Sequence, residues 1–301
     1  MRMHRSAELA LILTVIIWSG NFSAVKVGVT AIAPLAFSVA RFALGASITV
    51  VVVVWREGWP RFRRRDLPLL AAAAIVGITV NQVAFVTALQ ATSASNVALL
   101  IGTIPIWTAV IAVLSRQERV ARGLWLGLAA GLVGVTLIVV GGQEAPGGVS
   151  VVGELGALAT ALSWAGYSVL IRPLMRRYSA LQLSAFVMVV GTLLLVPMSL
   201  PSIASQDWSA VPRDAWLGLL YAALLSVSLT NILYFTAIHR IGPSRAALFT
   251  YLEPFLGVLI AIVLLGDAVT ALQLAGGAVV LGSVVVGRRG DGAPVIAEPG
   301  I

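Results

Sequence analysis

Ten uninterrupted apolar stretches run through the chain, at residues 8–28, 34–55, 68–89, 95–115, 123–141, 153–171, 180–200, 214–237, 246–265 and 269–287. Each is close to the roughly 20 residues that an α-helix needs to cross the hydrocarbon core of a bilayer. Backbone amides in lipid must be satisfied within the spanning structure, so only helices and closed barrels cross. A barrel strand alternates apolar and polar residues over about ten positions. These stretches are continuous, and helices are predicted. Ten such helices need about 200 residues, which in a chain of 301 leaves short connections and no separate soluble domain. The first stretch carries Trp18, Asn21 and Lys26 and lacks a small-residue cleavage site, so it reads as a span rather than a leader.

Composition agrees. The chain is 59% apolar and 11% charged, against about 45–50% and about 25% in soluble domains. That excludes a cytosolic enzyme, a disordered chain and a disulfide scaffold. Cysteine is absent and the histidines are His4 and His239 only, so neither a thiolate nor a histidine metal cluster is expected. No HExxH, P-loop or G-x-S-x-G motif is present, and no cofactor is implied.

The net charge of +8 admits two readings, nucleic acid or membrane topology. With the N-terminus placed in the cytoplasm, seventeen of the twenty basic residues fall on the cytoplasmic side, including the Arg61–Arg65 run. Arg213 alone falls on the other, and Lys26 and Arg41 lie within spans. This asymmetry predicts both termini inside, with residues 288–301 as a cytoplasmic tail, and accounts for the charge without nucleic acid. The loop Gln143–Ser150 is then external.

The sequence also repeats itself at an offset of about 146–150 residues. Trp18-Ser-Gly20 with Lys26 returns as Trp164-Ala-Gly166 with Arg172, and Asn81 with Phe85 returns as Asn231 with Phe235. Val97-Ala-Leu99 matches Ala246-Ala-Leu248, Pro105 matches Pro254, and Glu118 matches Asp267. The repeats cover about 8–141 and 153–287 within a single transmembrane domain, 1–301. Each holds five spans, so the second must enter the membrane in the opposite direction, the architecture of secondary transporters with a midplane site.

Three groups of residues suggest where such a site lies. Pro105 and Pro254 sit mid-span and should free the carbonyls of Ile101 and Thr250; the alternatives are a packing kink or a cavity wall. Trp18, Trp107, Trp164, Tyr167, Tyr234, Phe249 and Tyr251 also lie within spans, away from the interfacial belt. They are either helix-packing filler or rings that hold an ammonium or quaternary cation. Trp55, Trp59, Trp125, Trp208 and Trp216 lie near span ends or loops and read as anchors. Asn21, Asn81, Gln82, Thr230 and Asn231 are polar at matching depth. They either bond between helices or meet the amine and carboxylate of an amino acid. Among the charges, Lys26 and Arg41 either snorkel outward or draw a substrate carboxylate. Glu253 either carries a coupling proton or has a structural role as an ion-pair partner or cap beside Pro254. Gly123, Gly127 and Gly131, with Gly276, Gly277 and Gly282, permit close helix approach. Packing within the fold is favoured there over a homodimer contact.

The chain resembles the drug/metabolite transporter superfamily in its EamA-type, ten-helix, two-repeat form. The residues that carry the resemblance are Trp18-Ser-Gly-Asn-Phe22 with Lys26, Arg41-Phe42, Leu252-Glu-Pro-Phe255 and Leu264-Leu-Gly-Asp267, and it covers residues 8–287. The first-half copy Thr103-Ile-Pro-Ile106 departs from it by lacking the glutamate. The resemblance implies a cavity between the halves, built from spans 1, 3, 4, 6, 8 and 9, in a bacterial-type inner membrane. Within the superfamily the tryptophan-rich centre is most similar to exporters of amino acids, especially aromatic ones, which also move methyl viologen-like cations. The expected substrate is a small amphipathic molecule. The alternatives are a multidrug or other metabolite exporter of the same fold and, in another class, a non-transporting receptor or scaffold. The resemblance also favours the structural role for Glu253, since Glu-Pro is a fold-wide family feature across transporters of differing energetics.

Overall fold

The computed structural model describes residues 2–92, 94–141, 150–265 and 270–289. Asp267 and the loop 142–149 lie outside these residues, as does the tail from 290 on. The side chain of Lys26 also lies outside the description. Among the described residues the regular structure is entirely helical.

Two long helices open the chain, α1 (Arg2–Val29) and α2 (Pro34–Glu57). A 3-10 turn at Arg64–Asp66 leads into α3 (Leu67–Ala74), a π-helical segment (Ile75–Val80) and α4 (Asn81–Ala91), which form one rod. Next come α5 (Ala94–Ile101), α6 (Ile104–Leu114) and α7 (Arg122–Gly141). The second half begins with α8 (Val151–Leu170) and α9 (Ala180–Ala204). Another rod follows, made of α10 (Arg213–Tyr221), a π segment (Ala222–Leu229) and α11 (Thr230–Ile241). The last elements are α12 (Pro243–Leu248), a 3-10 turn (Phe249–Tyr251), α13 (Leu252–Leu265) and α14 (Ala271–Arg289).

Seven of these runs are long and apolar enough to cross a membrane: Ser6–Val29, Pro34–Glu57, Arg64–Ala91, Arg122–Gly141, Val151–Arg176, Ala180–Ala204 and Arg213–Ile241. The expected spans 95–115 and 246–265 are not continuous helices. The first breaks at Gly102–Thr103, where Pro105 has no amide for the preceding turn and the Thr103 hydroxyl bonds back to the Leu100 carbonyl at 2.5 Å. The second tightens into the 3-10 turn ahead of Pro254. The Leu252 amide bonds within this turn, to the Phe249 carbonyl. The last expected span is present as a shorter apolar helix, Ala271–Gly287.

Matching elements of the two sequence halves pack in matching ways. α1 lies on α11 and α13, as α8 lies on α4 and α6. α2 packs on α9 and α7 on α14. The π segments mark the closest correspondence. Thr79, in the first, donates to the Gly191 carbonyl on α9 at 3.1 Å. Ser228, in the second, donates to the Gly45 carbonyl on α2 at 3.1 Å. A Cβ at Gly191 would stand 2.4 Å from Ile78, and one at Gly45 would stand 3.1 Å from Ser228. Helix and bulge therefore approach through glycine at both places. Glycines also close the α7–α14 contact: a Cβ at Gly127 would meet the Gly287 Cα at 2.7 Å, and one at Gly276 the Gly134 carbonyl at 2.7 Å. Gly282 faces open space.

Polar groups tie the helix ends. Asp66 accepts from the Tyr178 hydroxyl at 2.7 Å and pairs with Arg177, joining the start of α3 to the turn before α9. Glu118, after α6, pairs with Arg172 at 3.2 Å and accepts the Ser244 amide at 3.2 Å. Gly242 makes room for that carboxylate at φ +86°, since a Cβ there would fall 1.8 Å from it. Gln206 clamps the α1–α2 turn through Ala31 and Ala33. Beside it, two hydrogen bonds from Ser209 hold the exposed Asp207 carboxyl below the usual carboxylate range.

Candidate functional site

An aromatic cluster sits where α1, α8 and α11 meet. The Trp18 ring centroid is 5.6 Å from Trp164, edge to face, and 5.3 Å from Tyr234. Trp164 and Tyr234 are 6.0 Å apart. The Trp18 indole donates to the Thr230 hydroxyl at 2.9 Å and the Ser226 carbonyl at 3.1 Å. Ser226 belongs to the π segment, where a carbonyl is available to a side chain because the regular ladder is disturbed. Sequence reading predicts Trp18, Trp164, Thr230 and Tyr234 for the site, and the structure brings all four together.

These rings are arranged in depth. Trp18 and Trp164 are partly exposed, whereas Tyr234 is buried. Tyr167 is fully buried behind Trp164, at 5.6 Å, and in turn meets Phe235 at 5.3 Å. Its ring fills the space that Gly77 leaves on the first π segment. Tyr167 is thus core behind the two tryptophans. Trp107 stands apart: its indole bonds to Thr103 one turn back at 3.1 Å, across the break between α5 and α6. Phe249 is buried in the 3-10 turn of the matching break.

A chain of side-chain amides runs from the second helix to the eighth. Arg41 donates to the Gln82 oxygen at 2.8 Å, and Gln82 donates to the Asn81 oxygen at 3.1 Å. Asn81 in turn donates to the Thr160 carbonyl and the Ser163 hydroxyl, both at 3.1 Å. Ser163 precedes Trp164, so the chain ends beside the aromatic cluster. Arg41 turns its guanidinium inward. It is 7% exposed, with its guanidinium 5.2 Å from the Phe42 ring centroid and 5.8 Å from that of Phe37. The repeat mate of Asn81 behaves differently: Asn231 turns its amide onto its own helix, at the Val227 carbonyl, 2.7 Å away. Asn21 is partly buried, with its side-chain oxygen unpartnered.

Glu253 opens α13 next to Pro254 and is partly exposed. The Ser19 hydroxyl donates to its backbone carbonyl at 3.0 Å, which brings α13 against α1 one residue from Trp18. Neither the Glu118–Arg172 nor the Asp66–Arg177 ion pair involves Glu253 or Arg41.

Sequence reading misses Ser163, Thr160 and Ser226, because small hydroxyl residues in apolar helices are ordinary. It also misses both π segments. Their signal is present in retrospect: Thr79 and Ser228 recur at the repeat offset, as do Gly45 and Gly191. No His/Cys/Asp/Glu group suited to a metal occurs among the described residues.

Comparison with known proteins follows this geometry. The model of the EamA-like transporter family matches twice, at residues 5–140 and 151–287. A probable terminal-alkyne amino-acid exporter of Streptantibioticus cattleyicolor is 28% identical over 284 residues, spanning 94% of each chain. An uncharacterized transporter of Archaeoglobus fulgidus is 25% identical, over 94% of this chain and 97% of its own. A crystal structure aligns with a TM-score of 0.80 at 19% identity, covering 96% of this chain and 99% of that one, a likeness of fold.

Proposed function

The chain belongs to the EamA-like transporter family, and from that premise we propose that it exports small amphipathic metabolites, amino acids including aromatic ones foremost, by alternating access. The observation that carries this reading is the aromatic cluster of Trp18, Trp164 and Tyr234, joined through Ser163 to the amide chain that ends at Arg41. Rings suit an apolar side chain or a cation's face, and the amides suit the polar end. The naming of one relative as a probable amino-acid exporter supports the same class.

The finer architecture belongs to this proposal. It has ten spans in two inverted five-span repeats within one transmembrane domain, residing in the inner membrane with both termini cytoplasmic. Support comes from the paired packing of matching elements and the two π segments, each anchored on a glycine carbonyl. Support for glycines as internal packing rather than a homodimer contact is that α7 and α14 turn theirs toward each other. The substrate cavity is assigned to Trp18, Asn21, Asn81, Gln82, Trp107, Trp164 and Thr230, with Asn231, Tyr234, Tyr167 and Phe249 behind or beside them. Pro105 and Pro254 set the breaks, and Lys26, Arg41 and Glu253 are the membrane-depth charges.

The test is a competition screen of amino acids and organic cations against flux in liposomes holding the purified protein. Vectorial flux of an aromatic amino acid supports the proposal. Flux of cations alone favours the multidrug alternative, and binding without flux of any solute rejects transport.

A further inference from the structure

We infer that Arg41 is the receptor for a carboxylate on the transported molecule, an assignment that rests on the transport reading above. A buried guanidinium within a span is costly unless paired. Arg41 has no carboxylate partner among the described residues. Its one hydrogen bond goes to a neutral amide, Gln82, and its Nε is buried with no acceptor. A fork of donors with this much unused capacity is built for a planar anion, which it grips through two parallel hydrogen bonds.

The surroundings hold the fork still. Phe37 and Phe42 flank it, and Gln82 is fixed by Asn81, which is fixed by Thr160 and Ser163. A merely structural arginine would have its buried donors met by acids, carbonyls or amides, whereas here the Nε is buried with no acceptor. The chain instead aligns three side chains so that each donates toward the next and the cation stands at the end. That end is two amides from Ser163, the chain neighbour of Trp164. The feature also belongs to one half only. At the repeat offset Gln82 corresponds to Ile232, and Arg41 falls in the apolar run 187–191. The symmetric scaffold does not need it.

Ligand-induced stabilisation of the purified protein tests the assignment with three probes: tryptophan, indole-3-propionate (carboxylate without ammonium) and tryptamine (ammonium without carboxylate). Two variants are compared with the wild type. Arg41→Gln removes the cation. Gln82→Glu gives Arg41 an internal carboxylate and keeps the fold if Arg41→Gln does not. The expected result is that both carboxylates stabilise the wild type, and that their affinity falls at least tenfold in each variant that folds. Tryptamine affinity should fall less than that of either carboxylate in each variant that folds. Stabilisation by indole-3-propionate without tryptophan keeps the Arg41 assignment and removes the amino-acid reading. Carboxylate binding sensitive to both variants but without flux in liposomes keeps the assignment and removes transport. A wild type that no carboxylate stabilises, or carboxylate affinities in Gln82→Glu within twofold of wild type, overturns the assignment.

Discussion

Glu253 and the two central tryptophans concentrate the chemistry at the residue scale. The structural reading of Glu253 calls for a cation or a backbone donor at its carboxylate. No ion pair among the described residues includes it, and it keeps part of its surface open. Glu253→Gln is expected to fold with near wild-type thermal stability and to lose the response of flux to an imposed pH gradient. A variant that melts early with the response intact assigns the residue a structural role instead. For the rings, stacking or cation–π contact contributes about 0.5–2 kcal/mol, or roughly 2- to 30-fold in affinity. Trp18→Ala and Trp164→Ala should each weaken an aromatic or cationic substrate within that range. Trp107→Ala should weaken it less, since its indole is turned onto Thr103. Equal losses at all three, read by competition binding, would place Trp107 in the same cluster. Trp18 and Trp164 were legible as repeat mates because tryptophan is rare and the offset exact enough to pair them. For Arg41 the sequence leaves snorkelling and carboxylate capture both open, because it gives a residue's depth but not the amide, Gln82, that receives the guanidinium.

At the scale of helices, the telling devices are interruptions. Prolines marked two of them in advance, since a missing amide is visible in the sequence. The π segments were not legible at first reading, because an extra residue per turn is fixed by what the bulge packs on; their one sequence trace is the recurrence of Thr79 with Ser228 and of Gly45 with Gly191. Here that is glycine: Gly191 under Ile78 and Gly45 under Ser228. Their different clearances set an order. Gly191→Ala must displace a β-branched side chain from 2.4 Å, whereas Gly45→Ala presses a hydroxyl and a methyl at 3.1 Å. Overpacking of this kind costs about 1–3 kcal/mol, and Gly191→Ala should lie at the upper end and Gly45→Ala below it. Thermal unfolding in detergent reads both, and the reverse order would reject the packing account of the first π segment.

Over the whole molecule, arginine placement and the paired halves argue together. The chain holds no cysteine, so single cysteines report sidedness cleanly. Ser150→Cys should react with an impermeant reagent from outside the cell, and a cysteine in the Arg61–Arg65 loop only from the cytoplasm. Labelling of Ser150→Cys from the cytoplasm alone would reject the topology and the inverted repeat with it. The helical class and its two-fold repetition were readable because both are written in long, regular patterns. Which polar residues meet was not, since it depends on how two rods cross. The scaffold is duplicated, but its charges are not: Arg41 has an apolar counterpart, and Glu253 corresponds to Ile104. Two identical inverted halves would give inward- and outward-open forms of equal energy, and empty carriers would divide evenly between them. Unlike halves break that degeneracy, and each 1.4 kcal/mol or so of difference skews the population about tenfold. On the proposed inverted-repeat reading, the empty carrier waits on a preferred side, and the same solute offered at the two faces of a vesicle should half-saturate at different concentrations.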